Sequence, residues 1–269
     1  MKIRKKKCMN TCKYVMLVAA GAAALASSSM ASSDTPVSTE VLALLYQDSG
    51  QTAPTPPPAE SEESNRWYAA AALGASFLLD TEIKNVDGPK FKFKTGLGLN
   101  LGVGYILTKN WAVEVRSGVL WNEIDEYQGT SEGVSYNGGD GTVYQIPLMA
   151  SAVYSIPISD KFSIGLKAGI GLQWTDFSVD RIRITAPGLN ALGSLDKTST
   201  SFRWEVGLQL ANQIAHNIRI GGGVIFSGSS SIDVGSPTVD LGGTTLVGLG
   251  DKLDPLYNIS LGFGVNIRF

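Results

Sequence analysis

The amino-acid sequence predicts an all-β chain, an eight-stranded antiparallel up-and-down β-barrel that crosses a membrane. Three observations predict it. Short segments alternate strictly between apolar and polar residues, the links between them alternate long and short, and aromatic residues gather at their ends. The clearest segment is 257–269, YNISLGFGVNIRF. Tyr257, Ile259, Leu261, Phe263, Val265, Ile267 and Phe269 share one face, and small or polar residues share the other. Period-two alternation gives a strand one apolar and one polar face. A soluble sandwich strand reads the same way, so repetition decides.

In chain order, strands are expected at 67–79, 91–105, 111–122, 144–154, 162–174, 202–211, 218–226 and 257–269. The first is Ala-rich. In the second, Phe91, Phe93, Leu97, Leu99, Leu101, Val103 and Tyr105 alternate with Lys92, Lys94, four glycines and Asn100. In the third, Trp111, Val113, Val115, Val119 and Trp121 oppose Ala112, Glu114, Arg116, Gly118 and Asn122. The fifth sets Phe162, Ile164, Leu166, Ile170, Leu172 and Trp174 against Lys167, Gln173 and glycines. The sixth sets Phe202, Trp204, Val206, Leu208 and Leu210 against Arg203, Glu205 and Gln209. Each is near the roughly 9–11 residues a tilted strand needs to cross a bilayer.

The start of the chain reads as an export signal over residues 1–31. Lys2, Arg4, Lys5, Lys6, Lys7 and Lys13 form its basic region, 14–25 its apolar run, and Ser29-Met30-Ala31 its cleavage site. The run is too short for a membrane-spanning helix, so membrane residence must come from strands. Cys8 and Cys12 both precede it, so neither sits where a lipidated cysteine would. The mature chain is then expected to have no thiol, disulfide or cysteine metal site. It keeps 16 basic and 24 acidic residues, a net of −8. Six of those acids lie in 32–65, leaving the barrel region about −2, with no nucleic-acid footprint.

Residues 32–65 contain TAPTPPPAESEES and read as a Pro-rich, acidic, largely disordered linker. Val37, Val41, Leu42, Leu44 and Leu45 could form one short amphipathic helix before it. The plain reading is a periplasmic spacer, and the sharper one a docking segment for a periplasmic or cell-wall partner. The barrel domain is expected over 66–269.

The links at 80–90, 125–141, 179–200 and 228–255 are long, and those at 106–110, 155–161 and 213–217 short. Long outer loops and short periplasmic turns are the asymmetry of such barrels. The first strand then runs outward, and an even strand count returns the chain to the periplasm. Closure removes the unpaired edges that lipid cannot tolerate. Trp67, Tyr105, Trp111, Tyr154, Phe162 and Phe269 fall at periplasmic strand ends. Phe77, Phe91, Trp121, Tyr144, Trp174, Phe202 and Tyr257 fall at outer ends. Two interfacial girdles are expected from this sorting.

Arg66-Trp67-Tyr68, Gly102-Val103-Gly104-Tyr105 with Asn110-Trp111, Gly169-Ile170-Gly171 and the closing GFGVNIRF resemble the small OmpA/OmpX-type barrels, the outer membrane protein beta-barrel domain family. The resemblance covers about 66–269 and implies a bacterial outer-membrane location. It also implies that the terminal aromatic, Phe269, serves as an assembly signal for the outer-membrane assembly machinery. Such motifs specify architecture far better than function. OmpA adds a peptidoglycan-binding domain after its barrel; this sequence runs only to the last strand, so that anchoring role is not carried over.

An eight-stranded barrel has an interior just wide enough for its side chains. Lys92, Lys94, Glu114, Arg116, Lys167, Arg203, Glu205, Arg219 and Arg268 are expected to point into it as a charge network. Strand direction places Glu114, Arg116, Arg219 and Arg268 in the periplasmic half, and Lys92, Lys94, Arg203 and Glu205 in the outer half. Two readings stand: a salt-bridged plug, or a narrow channel drawing small, anionic solutes by its excess of bases.

Enzyme chemistry is not expected. The single histidine, His216, falls in a periplasmic turn, and no serine or acid shares a catalytic spacing with it. No cofactor is expected, and the scattered loop acids lack a calcium-loop spacing. Function then falls to the outer loops, which rigid scaffolds use for display. The expected role is structural or interactive: envelope stability, adhesion or surface recognition of an unknown extracellular ligand. Outer-membrane lipid is the expected surround. Arg181 and Arg183 suit lipopolysaccharide phosphates, and the link 228–255 suits a strand-pairing edge.

Overall fold

Eight strands, each antiparallel to its sequence neighbours, form a ring in the computed structural model of this chain. They are β1 (Trp67–Leu78), β2 (Gly96–Ile106), β3 (Trp111–Ser131), β4 (Val134–Pro157), β5 (Phe162–Ala186), β6 (Leu189–Ala215), β7 (Ile218–Ser229) and β8 (Tyr257–Arg268). The ring closes where β8 meets β1, from Tyr68↔Arg268 to Leu78↔Asn258. The structure describes residues 66–83, 90–131, 134–235, 238–240, 245–247 and 251–269. The expected signal (1–31) and linker (32–65) lie outside them.

The alternation sorts side chains as lipid requires. Leu73, Leu97, Ile170 and Phe263 point outward, each more than half exposed. Tyr68, Ser76, Lys167 and Glu205 point inward and are buried. In water this outward band would be a large exposed apolar patch; against acyl chains it is the favourable surface. Aromatic pairs frame it. Trp67–Tyr105 and Trp111–Tyr154 sit at the periplasmic rim, with centroids 5.0 and 4.9 Å apart. Trp121–Tyr144 and Phe226–Tyr257 stack at the outer rim, at 6.2 and 6.1 Å. The turns at the periplasmic end are short, and His216 sits exposed in the two-residue turn between β6 and β7.

The outer side differs from the expectation. The links 125–141 and 179–200 are not loops but continuations of the strands, so β3 to β6 run 21, 24, 25 and 27 residues. A 25-residue strand is ~80 Å long, and crossing takes about 10 residues, so roughly 50 Å of it rises beyond the lipid. The physical reason lies in the phase of the alternation. Within the bilayer β5 turns Leu166, Ile170, Leu172 and Trp174 outward; above it Phe177 and Val179 point inward, and Ser178 faces out. Lipid wants apolar residues outside, whereas water wants them inside. The apolar face therefore changes sides at the membrane surface without any break in the strand.

The inward apolar residues make a second core above the membrane, joining Leu78, Phe91, Ile124, Tyr127, Val143, Phe177, Val179, Leu195, Ile232, Val234, Leu253 and Leu256. The link 228–255 feeds it. Short strands Ile232–Gly235 and Asp251–Leu253 pair there, and Thr238–Asp240 adds to β6 at Leu192 to Ser194.

Segment 91–105 is likewise not one strand. Lys90–Phe93 pairs with the outer part of β3, with a register shift between Lys92 and Phe93, and residues 94–95 belong to neither strand before β2. The interruption reverses the parity. Phe91 is fully buried, stacked on Tyr127 at 4.3 Å and edge-on to Phe177 at 5.1 Å. It belongs to the upper core and not to the outer girdle.

Candidate functional site

The lumen is built in three tiers, beginning with an ion-pair cluster. Glu114 and Arg116 come from β3, Lys167 from β5 and Glu205 from β6, all buried. Lys167 pairs with Glu114, and Arg116 with Glu205. Lys167 also stands 3.8 Å from Glu205, joining the pairs into one network. Tyr68 donates to Glu114 Oε2 at 3.1 Å, and Ser151 to Glu205 Oε1 at 3.0 Å. Glycine makes room for both neutral donors. A Cβ on Gly104 would lie 2.1 Å from Tyr68 Cζ, and one on Gly169 2.3 Å from Ser151 Oγ.

The expected division into two halves does not hold for Glu205. Glu114 pairs with Ser151, Ser151 with Gly169 and Gly169 with Glu205 across successive strands. Glu205 thus shares a row with Glu114 despite lying near the other end of its predicted segment. The stagger of a closed barrel, invisible to counting from segment ends, causes the difference.

A polar belt lies above the cluster. Arg203 donates to Gln173 and, at 2.6 Å, to Ser227, while Gln173 donates to Thr175 at 2.8 Å. Ser227 reaches the Asn258 carbonyl at 3.4 Å, Asn258 donates to Ser76 Oγ at 2.7 Å, and Ser76 to Asn122 at 2.9 Å. The belt crosses six strands. Of its members only Arg203 was among the expected site residues. Ser76, Ser227 and Asn258 were missed, though their inward parity could have flagged them.

Lys92 and Lys94 are a correction, since neither enters the lumen. Both sit on the outer surface above the membrane, Lys92 3.5 Å from Glu126 and Lys94 3.7 Å from Glu123. The parity reversal at 94–95 turns them out. Without them the inward charges are five basic and two acidic. Arg219 and Arg268 stand apart, half-exposed at the periplasmic mouth. Phe269 follows β8 at the same rim, its amide donating to the Trp67 carbonyl at 3.0 Å.

The upper core caps the polar lumen. Phe91, Val143, Val179, Val234 and Leu253 are each fully buried there. Among the described residues, no group of three or more His, Cys, Asp or Glu is arranged to hold a metal ion.

Comparison with known proteins agrees on the architecture. A protein of Rickettsia canadensis (strain McKiel), provisionally named an adhesin, is 23% identical over 160 residues, 58% of this chain and 69% of its own. A relative of the same provisional name from Rickettsia felis is 23% identical over 159 residues, 58% of this chain and 68% of its own. Among solved structures, Neisserial surface protein A is 14% identical with a TM-score of 0.42, covering 76% of this chain and 97% of that one. OprG from Pseudomonas aeruginosa is 13% identical with a TM-score of 0.44, covering 76% and 96%. A family model described as the outer membrane protein beta-barrel domain matches residues 50–269. The chain belongs to the outer membrane protein beta-barrel domain family, and its barrel resides in a bacterial outer membrane.

Proposed function

We propose that this barrel is a surface-display protein, presenting a stiff β-platform to the exterior for adhesion or recognition. The observation that carries the reading is the upper core. Loops that only connect strands need no core, whereas these hairpins are clamped around one, and a preorganised surface loses little entropy on binding. Water-facing ion pairs dress the platform: Lys90–Glu82 at 2.7 Å, Lys92–Glu126, and Arg181–Asp140. The provisional adhesin names of the Rickettsia relatives support the same direction.

The closed tiers speak against a narrow anion channel, because an anion would have to displace paired charges and then cross an apolar core. A catalytic role has no support in the site chemistry. Within this reading the outward band meets outer-membrane lipid, Arg183 meets lipopolysaccharide phosphate, and Phe269 is read by the assembly machinery.

Expression on the surface of a non-adherent bacterium, followed by counting attachment to cultured animal cells, tests the proposal. Attachment is expected to rise with the intact chain. It should fall when the β5–β6 tip is trimmed beyond the Ile182↔Gly193 pair while the folded barrel persists. Equal attachment with and without the intact chain would overturn it.

A further inference from the structure

We propose that Arg219 and Arg268 form a binding site for one oxyanion, a carboxylate or phosphate group, at the periplasmic mouth of the lumen. The two side chains project inward from adjacent strands. Asn266 stands opposite Arg219, so Arg268 is its diagonal neighbour, with backbones about 7–8 Å apart. Guanidinium groups stay charged in proteins, so neither can relieve the other by losing a proton. Two such cations side by side in a half-buried mouth repel one another, and an anion between them relieves that repulsion.

No such anion is supplied from within. Glu114 is held by Lys167 and Tyr68, and Glu205 by Arg116 and Ser151. Among the described residues no carboxylate makes an ion pair with either mouth arginine, and Glu114, which borders the same cavity, is engaged by Lys167 and Tyr68. A cavity of about 80 Å³ lies before them, bounded by the 108–111 turn and by Tyr68, Lys109, Gln209 and Asn266. That is room for several waters, and so for one carboxylate or phosphate group. Around it stand three cations, neutral hydrogen-bonding side chains and one carboxylate, the already engaged Glu114; the excess of bases suits planar oxyanion recognition.

The oxyanion has two sources. One is a free anion of the periplasm. The other is the chain itself, because Glu60, Glu62 and Glu63 precede Trp67 by seven, five and four residues. A tether that short raises the local carboxylate concentration into the millimolar range.

The test is urea unfolding of the full chain in detergent micelles, with inorganic phosphate titrated at constant ionic strength. The E60Q/E62Q/E63Q variant is expected to gain stability with the logarithm of phosphate, its unfolding constant falling about 100-fold once phosphate exceeds its dissociation constant 100-fold. The R219Q/R268Q variant should show no such response. A wild-type response equal to that of the glutamine variant assigns the site to free anions; a blunted one assigns it to the chain's own glutamates. A flat response from the glutamine variant, or an equal response from R219Q/R268Q, overturns the proposal. If R219Q/R268Q fails to fold, the Nε–H resonances of Arg219 and Arg268 in the glutamine variant decide. A saturable shift with phosphate supports the site, and no shift overturns it.

Discussion

Replacing Glu205 by glutamine isolates the ion-pair cluster. The Glu205 side chain is wholly buried, accepts from Arg116 and Ser151, and lies 3.8 Å from Lys167. Glutamine keeps the shape and one acceptor oxygen but removes the negative charge. Arg116 then loses its counter-ion, and Lys167 retains only Glu114. Breaking a buried pair by removing one partner costs roughly 3–5 kcal/mol, because the partner stays buried and uncompensated. That is a shift of roughly 10²–10⁴ in the unfolding equilibrium. The comparison is Glu123→Gln, whose carboxylate is half-exposed and 3.7 Å from Lys94. An exposed pair of that kind is worth about 0–1 kcal/mol. Urea unfolding of both variants in lipid vesicles, followed by tryptophan fluorescence, measures the difference. A Glu205→Gln loss no larger than that of Glu123→Gln would mean that the lumen charges are solvated.

Three further outcomes follow from the same geometry. Ile170→Arg puts a charge on the lipid face and is expected to cost roughly 2–4 kcal/mol near the bilayer midplane. Ser178→Arg, on the outward face of the same strand above the lipid, should change stability by less than about 0.5 kcal/mol; equal costs in vesicle unfolding would contradict the assigned membrane boundary. Phe177→Ala removes a fully buried ring from the upper core, a loss of about 3–5 kcal/mol. It should expose the outer hairpins to trypsin on intact cells while the boiling-dependent gel shift persists, and unchanged trypsin resistance would argue that the core is not what holds the cap. Gly104→Ala sets a methyl group against the Tyr68 ring. The expected cost is about 1–3 kcal/mol, and a neutral outcome in urea would mean that Tyr68 does not fill that space.

The membrane-crossing half of the fold was legible because lipid imposes one rule on every strand, apolar outside and small or polar inside. Leu261 and Phe263 thus share the outward face with Leu99 and Ile170, as the alternation alone indicates. The outer half obeys the opposite rule, and in the sequence the switch looks like the end of a strand. In β5 the sign is present: after Trp174 the even positions turn polar at Asp176, Ser178 and Asp180, while Phe177 and Val179 are apolar on the odd ones. Lys92 and Lys94 were misplaced for the same reason, since parity was carried across an interruption that only the pairing of Lys90–Phe93 with β3 reveals. Glu114, Arg116, Lys167, Arg203 and Glu205 could be read as inward residues. Their pairings could not, because partner choice depends on barrel stagger, a property of the closed ring and not of any segment.

Whether the lumen is closed beneath a displayed platform is read out by planar-bilayer recording. Protein whose folded state is certified by a boiling-dependent gel shift would be inserted and held at steady voltage. No sustained conductance above bare-membrane leak is expected, because an apolar core caps the lumen above its paired ions. Steady anion-selective openings from the folded protein would contradict it and make the lumen, not the platform, the functional part.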